Sequence, residues 1–137
     1  MGPILLQRVE NGAVAVAIVV AVVGAGLPWW VLLAAFLLFD LSALGYLRNA
    51  RVGAIAYNLV HHYTAPALLA ACYAVLRAGG TDADWLALLA ASWGFHVAVD
   101  RALGYGLKLT SFSETHLGRI GRRRTDDPGS AAEAESP

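Results

Sequence analysis

Cysteine is nearly absent. Cys72 is the single example, which excludes a disulfide framework or a thiolate metal site within one chain. It lies between Ala71 and Tyr73 in an apolar run, the setting of a small buried filler. Charge is scarce as well: Asp, Glu, Lys and Arg make up 15% of the residues, against about a quarter in ordinary soluble domains. The ten basic and ten acidic side chains cancel, but unevenly along the chain. Arg48 and Arg51 form one basic cluster, Arg119, Arg122, Arg123 and Arg124 another, and Asp82 and Asp84 sit together elsewhere. That asymmetry encodes membrane topology and gives no reason to expect a nucleic-acid partner.

What is abundant is hydrocarbon. A hydrophobic fraction of 58% and a mean hydropathy of +0.56 are too apolar for a soluble fold of 137 residues. The chain reads as one domain in a bilayer: all-α and polytopic, a bundle of four transmembrane helices with a short C-terminal interfacial segment. The first span is expected over 9–27. Arg8 and Glu10 precede it, but no small-x-small cleavage site leads into polar sequence; Trp29 and Trp30 follow at once, so a retained helix is expected and not a signal peptide. The second, over 29–47, opens on that tryptophan pair, suited to an interfacial belt, and contains Asp40.

The short basic link 48–51 makes spans two and three an antiparallel hairpin. Span three, over 52–76, carries Tyr57-Asn58-Leu59-Val60-His61-His62-Tyr63 and then Pro66, which should bend the helix and free a carbonyl about one turn upstream. A flexible, mildly acidic loop leads to span four, over 84–103, with His96, Asp100 and Arg101. Residues 104–120 are too polar and glycine-punctuated to span and should return along the membrane surface; 121–137 have the composition of a disordered cytoplasmic tail. No internal repeat is visible. Four spans put both termini on one side. That side collects Arg8, Arg48, Arg51, Lys108 and the tail arginines, while the other holds Arg77, so the termini are expected in the cytoplasm of a bacterial inner membrane.

At a rise of about 1.5 Å per residue, Asp40 lies roughly 10 Å inside the cytoplasmic end of its span, Asn58 and His61 roughly 9–14 Å, and His96 and Asp100 roughly 6–12 Å. Five polar groups from three helices thus share one layer, and the outer half has no comparable set. Glu10 stands at the mouth of the same zone. Polar groups in hydrocarbon are costly and mark function, although hydrogen bonds that merely fix helix register explain any one of them. His62 should point about 100° away from His61 around the helix. Arg101 could simply snorkel to the headgroups, and Thr115 and His116 could be plain surface polarity.

Several stretches together resemble a known family. Asp40-Leu41-Ser42-Ala43-Leu44-Gly45-Tyr46-Leu47, Tyr57-Asn58-Leu59-Val60-His61, His96 with Asp100-Arg101, Gly104-Tyr105-Gly106-Leu107-Lys108 and Thr115-His116-Leu117-Gly118 are similar, in order, to the signatures of the small bacterial membrane family called domain of unknown function 4260. The resemblance covers about residues 8–120. The family usually has proline before the first aspartate and an aromatic after the lysine, where this chain has Phe39 and Leu109, so those neighbours serve shape and not chemistry. The resemblance implies a retained first helix and a four-helix membrane protein; it implies no reaction.

Three functions fit the layer. The first is an enzyme for a membrane-soluble substrate (isoprenoid, sterol-like or acyl), of isomerase, cyclase or hydrolase type. Asp40 and Asp100 would be its acid/base pair, His61 and His96 its proton carriers, and Tyr57 and Asn58 its positioning donors. Glu10, Arg101, Tyr105, Lys108, Thr115 and His116 would contact the substrate or its anionic head; no Asp-rich magnesium motif supports a diphosphate. The second is a metal or haem protein, with His61 and His96 as axial haem ligands, or with Asp40 and Asp100 around one ion. No cofactor is required by the sequence. The third is a small transporter or assembly subunit, which would need oligomers. Gly24-x-Gly26 and the alanine-rich faces permit close helix contact without demanding a dimer.

Overall fold

The computed structural model of the protein describes residues 2–108, 114–115 and 118–119. It is all-helical, and four stretches are long and apolar enough to cross a membrane: Pro3–Gly24, Trp30–Leu47, Ala50–Ala78 and Asp84–Leu103. Among the described residues, strand pairing is confined to Glu114–Thr115 against Gly118–Arg119 and a bridge from Lys108 to Thr115.

The first helix, α1, runs Pro3–Gly24. It begins before residue 9 because Pro3 occupies the first turn, where its missing N–H costs nothing. It stops short of residue 27, and Gly26 at φ +71° turns the chain.

The second span is not one α-helix. It comprises α2 (Trp30–Ala34), α3 (Phe36–Asp40) and a 3₁₀ segment, Leu41–Leu47. Seven residues is long for 3₁₀ geometry, whose three-residue turn stacks every third side chain. The change of helix type falls directly after Asp40. Its cause is visible in the neighbour: the 3₁₀ segment packs on α4 (Ala50–Val60) through Gly45, Tyr46 and Gly53. A Cβ on Gly45 would come within 3.1 Å of Gly53 Cα, and one on Gly53 would overlap the Tyr46 ring.

The third span is broken too, more sharply than a proline bend. Helix α4 ends at Val60, His61 leaves helical geometry at φ −95°, ψ 36°, and α5 resumes at Thr64 and runs to Ala78. Pro66 has no N–H to offer one turn upstream and its ring crowds that carbonyl, so the helix cannot run through His62 unbroken. The next helix, α6 (Asp84–Leu103), repairs the damage. Its Trp93 Nε1 donates to Val60 O (2.6 Å) and its Arg101 Nη2 to His61 O (3.4 Å). His62 Nδ1 accepts from Thr64 N (3.1 Å) and so caps α5.

Helix α6 is the most enclosed span and packs against α1, α2, α3 and α5. Small residues let it approach α1: Gly12 faces Ala102, and Gly94 faces Ile18. It ends in a Schellman turn, with Gly104 at φ +99°, Gly104 N bonded to Arg101 O (3.1 Å) and Tyr105 N to Asp100 O (2.8 Å). Large apolar side chains, including Val16, Val20, Leu37, Leu68 and Val75, point outward, as expected where lipid is the solvent. Cys72 also points outward, which corrects the expectation of a buried filler: it lies on the outer surface of α5, where lipid supplies the apolar surroundings that a core would in water.

The Gly53–Tyr46 contact gives a direct test of this packing. Gly53→Ala should overpack the junction and cost about 1–3 kcal/mol, read as a Tm several degrees lower in detergent, whereas Thr81→Ser in the exposed loop should leave Tm nearly unchanged.

Candidate functional site

Four side chains from three spans converge beside the break. His61 is there because α4 ends on it; Asp40 because α3 ends on it; His96 and Asp100 because a spacing of four places both on one face of α6. His61 Nε2 lies 2.9 Å from His96 Nε2, 3.6 Å from Asp40 Oδ1 and 3.5 Å from Asp100 Oδ2. His96 Nε2 lies 3.7 Å from the Asp40 oxygen and 3.9 Å from that of Asp100. One donor atom from each residue thus falls within 4.8 Å of all the others, close enough for the four to share an ion.

Each group is held by a specific neighbour. His61 Nδ1 donates to Tyr57 O (2.9 Å), which leaves Nε2 with its lone pair directed at the cluster. The Tyr57 ring stacks on the His61 ring at 3.5 Å between centroids, and its hydroxyl donates to Asp100 Oδ2 (3.0 Å). His96 is fully buried, with Phe36 and Phe39 against it at 4.6 and 5.3 Å between ring centroids. Trp93 stacks on Phe39. Asp40 is the open side: 43% of its side chain is exposed, against 3% for His61.

The two imidazole nitrogens stand closer than axial haem ligation requires. Two axial imidazoles need nitrogens about 4 Å apart, twice a metal–nitrogen bond of about 2 Å, with a flat macrocycle between them. At 2.9 Å there is room for a proton or the edge of a small ion's ligand shell, and for no ring.

The other residues singled out in the sequence lie as follows. Asn58 brackets the backbone of Lys108, donating from Nδ2 to its O (2.8 Å) and accepting at Oδ1 from its N (2.7 Å). That pair fastens the segment after the Schellman turn across the end of α4. It buries Lys108 with its Nζ 4.8 Å from the Tyr57 ring centroid and 6.0 Å from that of Tyr105. Burial pushes the Lys108 ammonium below the usual lysine range, and the Asp100 carboxylate partly offsets the shift.

Thr115 is buried and bridged to Lys108. Arg101 donates to the carbonyl freed at the helix break, that of His61, and lies over the Tyr63 ring at 4.9 Å. Tyr105 is exposed, as is Glu10 on α1, with no bond to the cluster among the described residues. His116 lies outside the described residues.

Sequence reasoning missed the aromatic walls. The signal was present, since Phe36 precedes Asp40 by four residues and Trp93 precedes His96 by three, the spacings at which helical side chains meet. An apolar cavity of about 360 Å³ lies elsewhere, between α1, α5 and α6, where Ala87, Ala91 and Gly94 line the side of α6 turned away from His96 and Asp100.

An all-helical chain with four apolar spans, and with imidazole and carboxylate groups gathered between them, defines a polytopic membrane protein with an internal polar centre. The sequence profile described as domain of unknown function 4260 matches residues 4–120, and the chain belongs to that family. No curated protein and no solved structure matches the chain.

The Asn58 bracket predicts a local effect. Asn58→Ala removes two hydrogen bonds of about 1 kcal/mol each. Hydrogen exchange at the amides of Tyr105 to Lys108 should therefore speed up about tenfold or more, while amides in the middle of α6 keep their protection.

Proposed function

We propose that the protein is a membrane-embedded enzyme whose reactive centre is the cluster Asp40, His61, His96 and Asp100, acting on the polar end of a lipid-soluble substrate. The observation that carries this reading is the convergence of two carboxylates and two imidazoles from separate spans, enclosed on every side but that of Asp40. A register-fixing device needs one hydrogen-bonded pair; four titratable groups on shared atoms exceed it.

The roles follow from exposure and partners. Asp40, half open, is the group that meets substrate and moves a proton to or from it. His61 and His96, nitrogen to nitrogen, pass a proton between them or hold a polarising group. Asp100, bonded by Tyr57, is held in place and tunes the imidazoles. Leu37, Leu41 and Leu44, exposed on either side of Asp40 in sequence, make the approach to the open side apolar, which favours an isoprenoid, sterol-like or acyl substrate arriving from the bilayer.

The same reading places the cluster in the inner leaflet, both termini in the cytoplasm and the protein in the bacterial inner membrane, supported by the basic residues on the side of Arg8, Arg48, Arg51 and Lys108. The tail over 121–137 lies outside the described residues.

Two experiments test these assignments. Lipid extracts from cells overproducing the wild type and Asp40→Asn should differ by mass spectrometry, with conversion reduced about 100-fold or more in the variant; identical extracts remove the enzymatic reading. A green fluorescent protein fused after Pro137 should fluoresce, and alkaline phosphatase fused there should be inactive; the reverse pattern would overturn the topology.

A further inference from the structure

We infer that the cluster is a mononuclear binding site for a divalent first-row transition ion of the zinc or iron(II) type, with His61 Nε2, His96 Nε2, Asp40 Oδ1 and Asp100 Oδ2 as its ligands. The inference rests on the reading of this cluster as the reactive centre and deepens it by naming the cofactor.

Distances provide the first argument. Zinc binds imidazole nitrogen and carboxylate oxygen at about 2.0–2.2 Å, so neighbouring ligands in a tetrahedral shell stand about 3.4 Å apart. The five nitrogen–nitrogen and nitrogen–oxygen separations here are 2.9, 3.5, 3.6, 3.7 and 3.9 Å, scattered on both sides of that value. The four atoms together span up to 4.8 Å, and two bonds of about 2.1 Å reach about 4.2 Å, so the imidazoles already stand near ligand spacing while the half-exposed Asp40 has to swing inward to close the shell.

Orientation provides the second. The bond from His61 Nδ1 to Tyr57 O fixes the tautomer that leaves Nε2 free to coordinate, and Tyr57 OH holds the Asp100 carboxylate at the atom that faces the cluster. Partners of this kind on the far side of the ligands are what orient metal-binding histidines and carboxylates. His96 is oriented by packing instead, its Nδ1 without a hydrogen-bond partner among the described residues and its ring against Phe36 and Phe39.

Charge provides the third. Two carboxylates in a membrane interior are expensive as anions, and a divalent ion held by neutral imidazoles cancels both. The donor set selects the ion. Two nitrogens and two oxygens without thiolate suit zinc, iron(II) or manganese better than copper(I), and two imidazoles count against magnesium and calcium. Asp40, the exposed ligand, marks the side on which a water or a substrate oxygen would reach the ion as a fifth donor, by expansion of the shell. There the ion would act as a Lewis acid.

The test uses the full chain purified in detergent without chelators or immobilised metal. Elemental analysis should find about one zinc or iron per chain; His96→Gln and Asp40→Ala should reduce it at least tenfold, and Asp82→Asn, in the exposed loop before α6, should leave it unchanged. Because a cluster variant could fail to fold, the wild-type apoprotein is also titrated with cobalt(II), which should give the visible bands of a four-coordinate ion at one equivalent. A folded wild-type protein with neither bound metal nor a saturable cobalt spectrum overturns the inference. The two readings fail separately. Metal absent with lipid conversion still dependent on Asp40 leaves the enzyme and removes the ion; metal present with unchanged lipid extracts leaves the ion and removes the lipid enzyme.

Discussion

A peptide group freed inside a membrane has no water to bond to, and that constraint shapes the third span. Breaking the helix at His61 to Tyr63 releases carbonyls in the middle of the bundle, and Trp93 and Arg101 of α6 take up those of Val60 and His61. Because the two donors sit on either side of His96 and Asp100 in sequence, satisfying the break also fixes the depth and rotation of α6. The repair of the backbone and the assembly of the cluster are one event. His61 stands at the pivot, its ring bonded back to Tyr57 O and its carbonyl bonded forward to Arg101.

The second span shows the same economy of geometry. A regular α-helix from Trp30 to Leu47 would leave no reason for Asp40 to differ from its neighbours. Instead the helix changes type immediately after Asp40, drawn into 3₁₀ form by the close approach of Gly45 and Tyr46 to Gly53. The span that delivers Asp40 is thus anchored on its C-terminal side by packing against α4, the helix that delivers His61. Besides the break at Ala35 between α2 and α3, the two other deviations from regular helix, after Asp40 and at His61, fall at residues of the cluster, consistent with irregular backbone in membrane proteins gathering where it surrounds an internal site.

Helix α6 separates two environments. One face presents His96 and Asp100 to the cluster, walled by Phe36, Phe39 and Tyr57; the other presents alanines and Gly94 to an apolar cavity shared with α1 and α5. The polar and apolar interiors do not mix because residues 94 and 96 point about 200° apart on a helix. Chain reversal at Gly104 then returns the backbone to Asn58, and the two bonds between that amide and Lys108 close the protein over the end of α4.

Much of this was legible in the residues alone. Hydrophobic runs of sufficient length gave the all-α class and four spans, since lipid leaves a chain few alternatives to helix. The depth of Asp40, His61, His96 and Asp100 followed from counting along those spans, because helical rise is nearly constant. What counting could not supply was rotation and continuity. Asn58 reads as a neighbour of His61 on one stripe, yet it turns to Lys108, a residue far along the chain. Arg101 reads as a boundary charge, yet it caps a broken helix. Pro66 announces a bend without saying that the break falls at His61, and nothing local in Leu41 to Leu47 announces a 3₁₀ turn. Those outcomes depend on what each segment packs against. The sequence by itself determined the solvent, the number of crossings and the layer of the polar groups, because these depend on local composition and length. Only the tertiary structure decided that the four side chains meet on common atoms, because convergence requires contacts between spans distant along the chain.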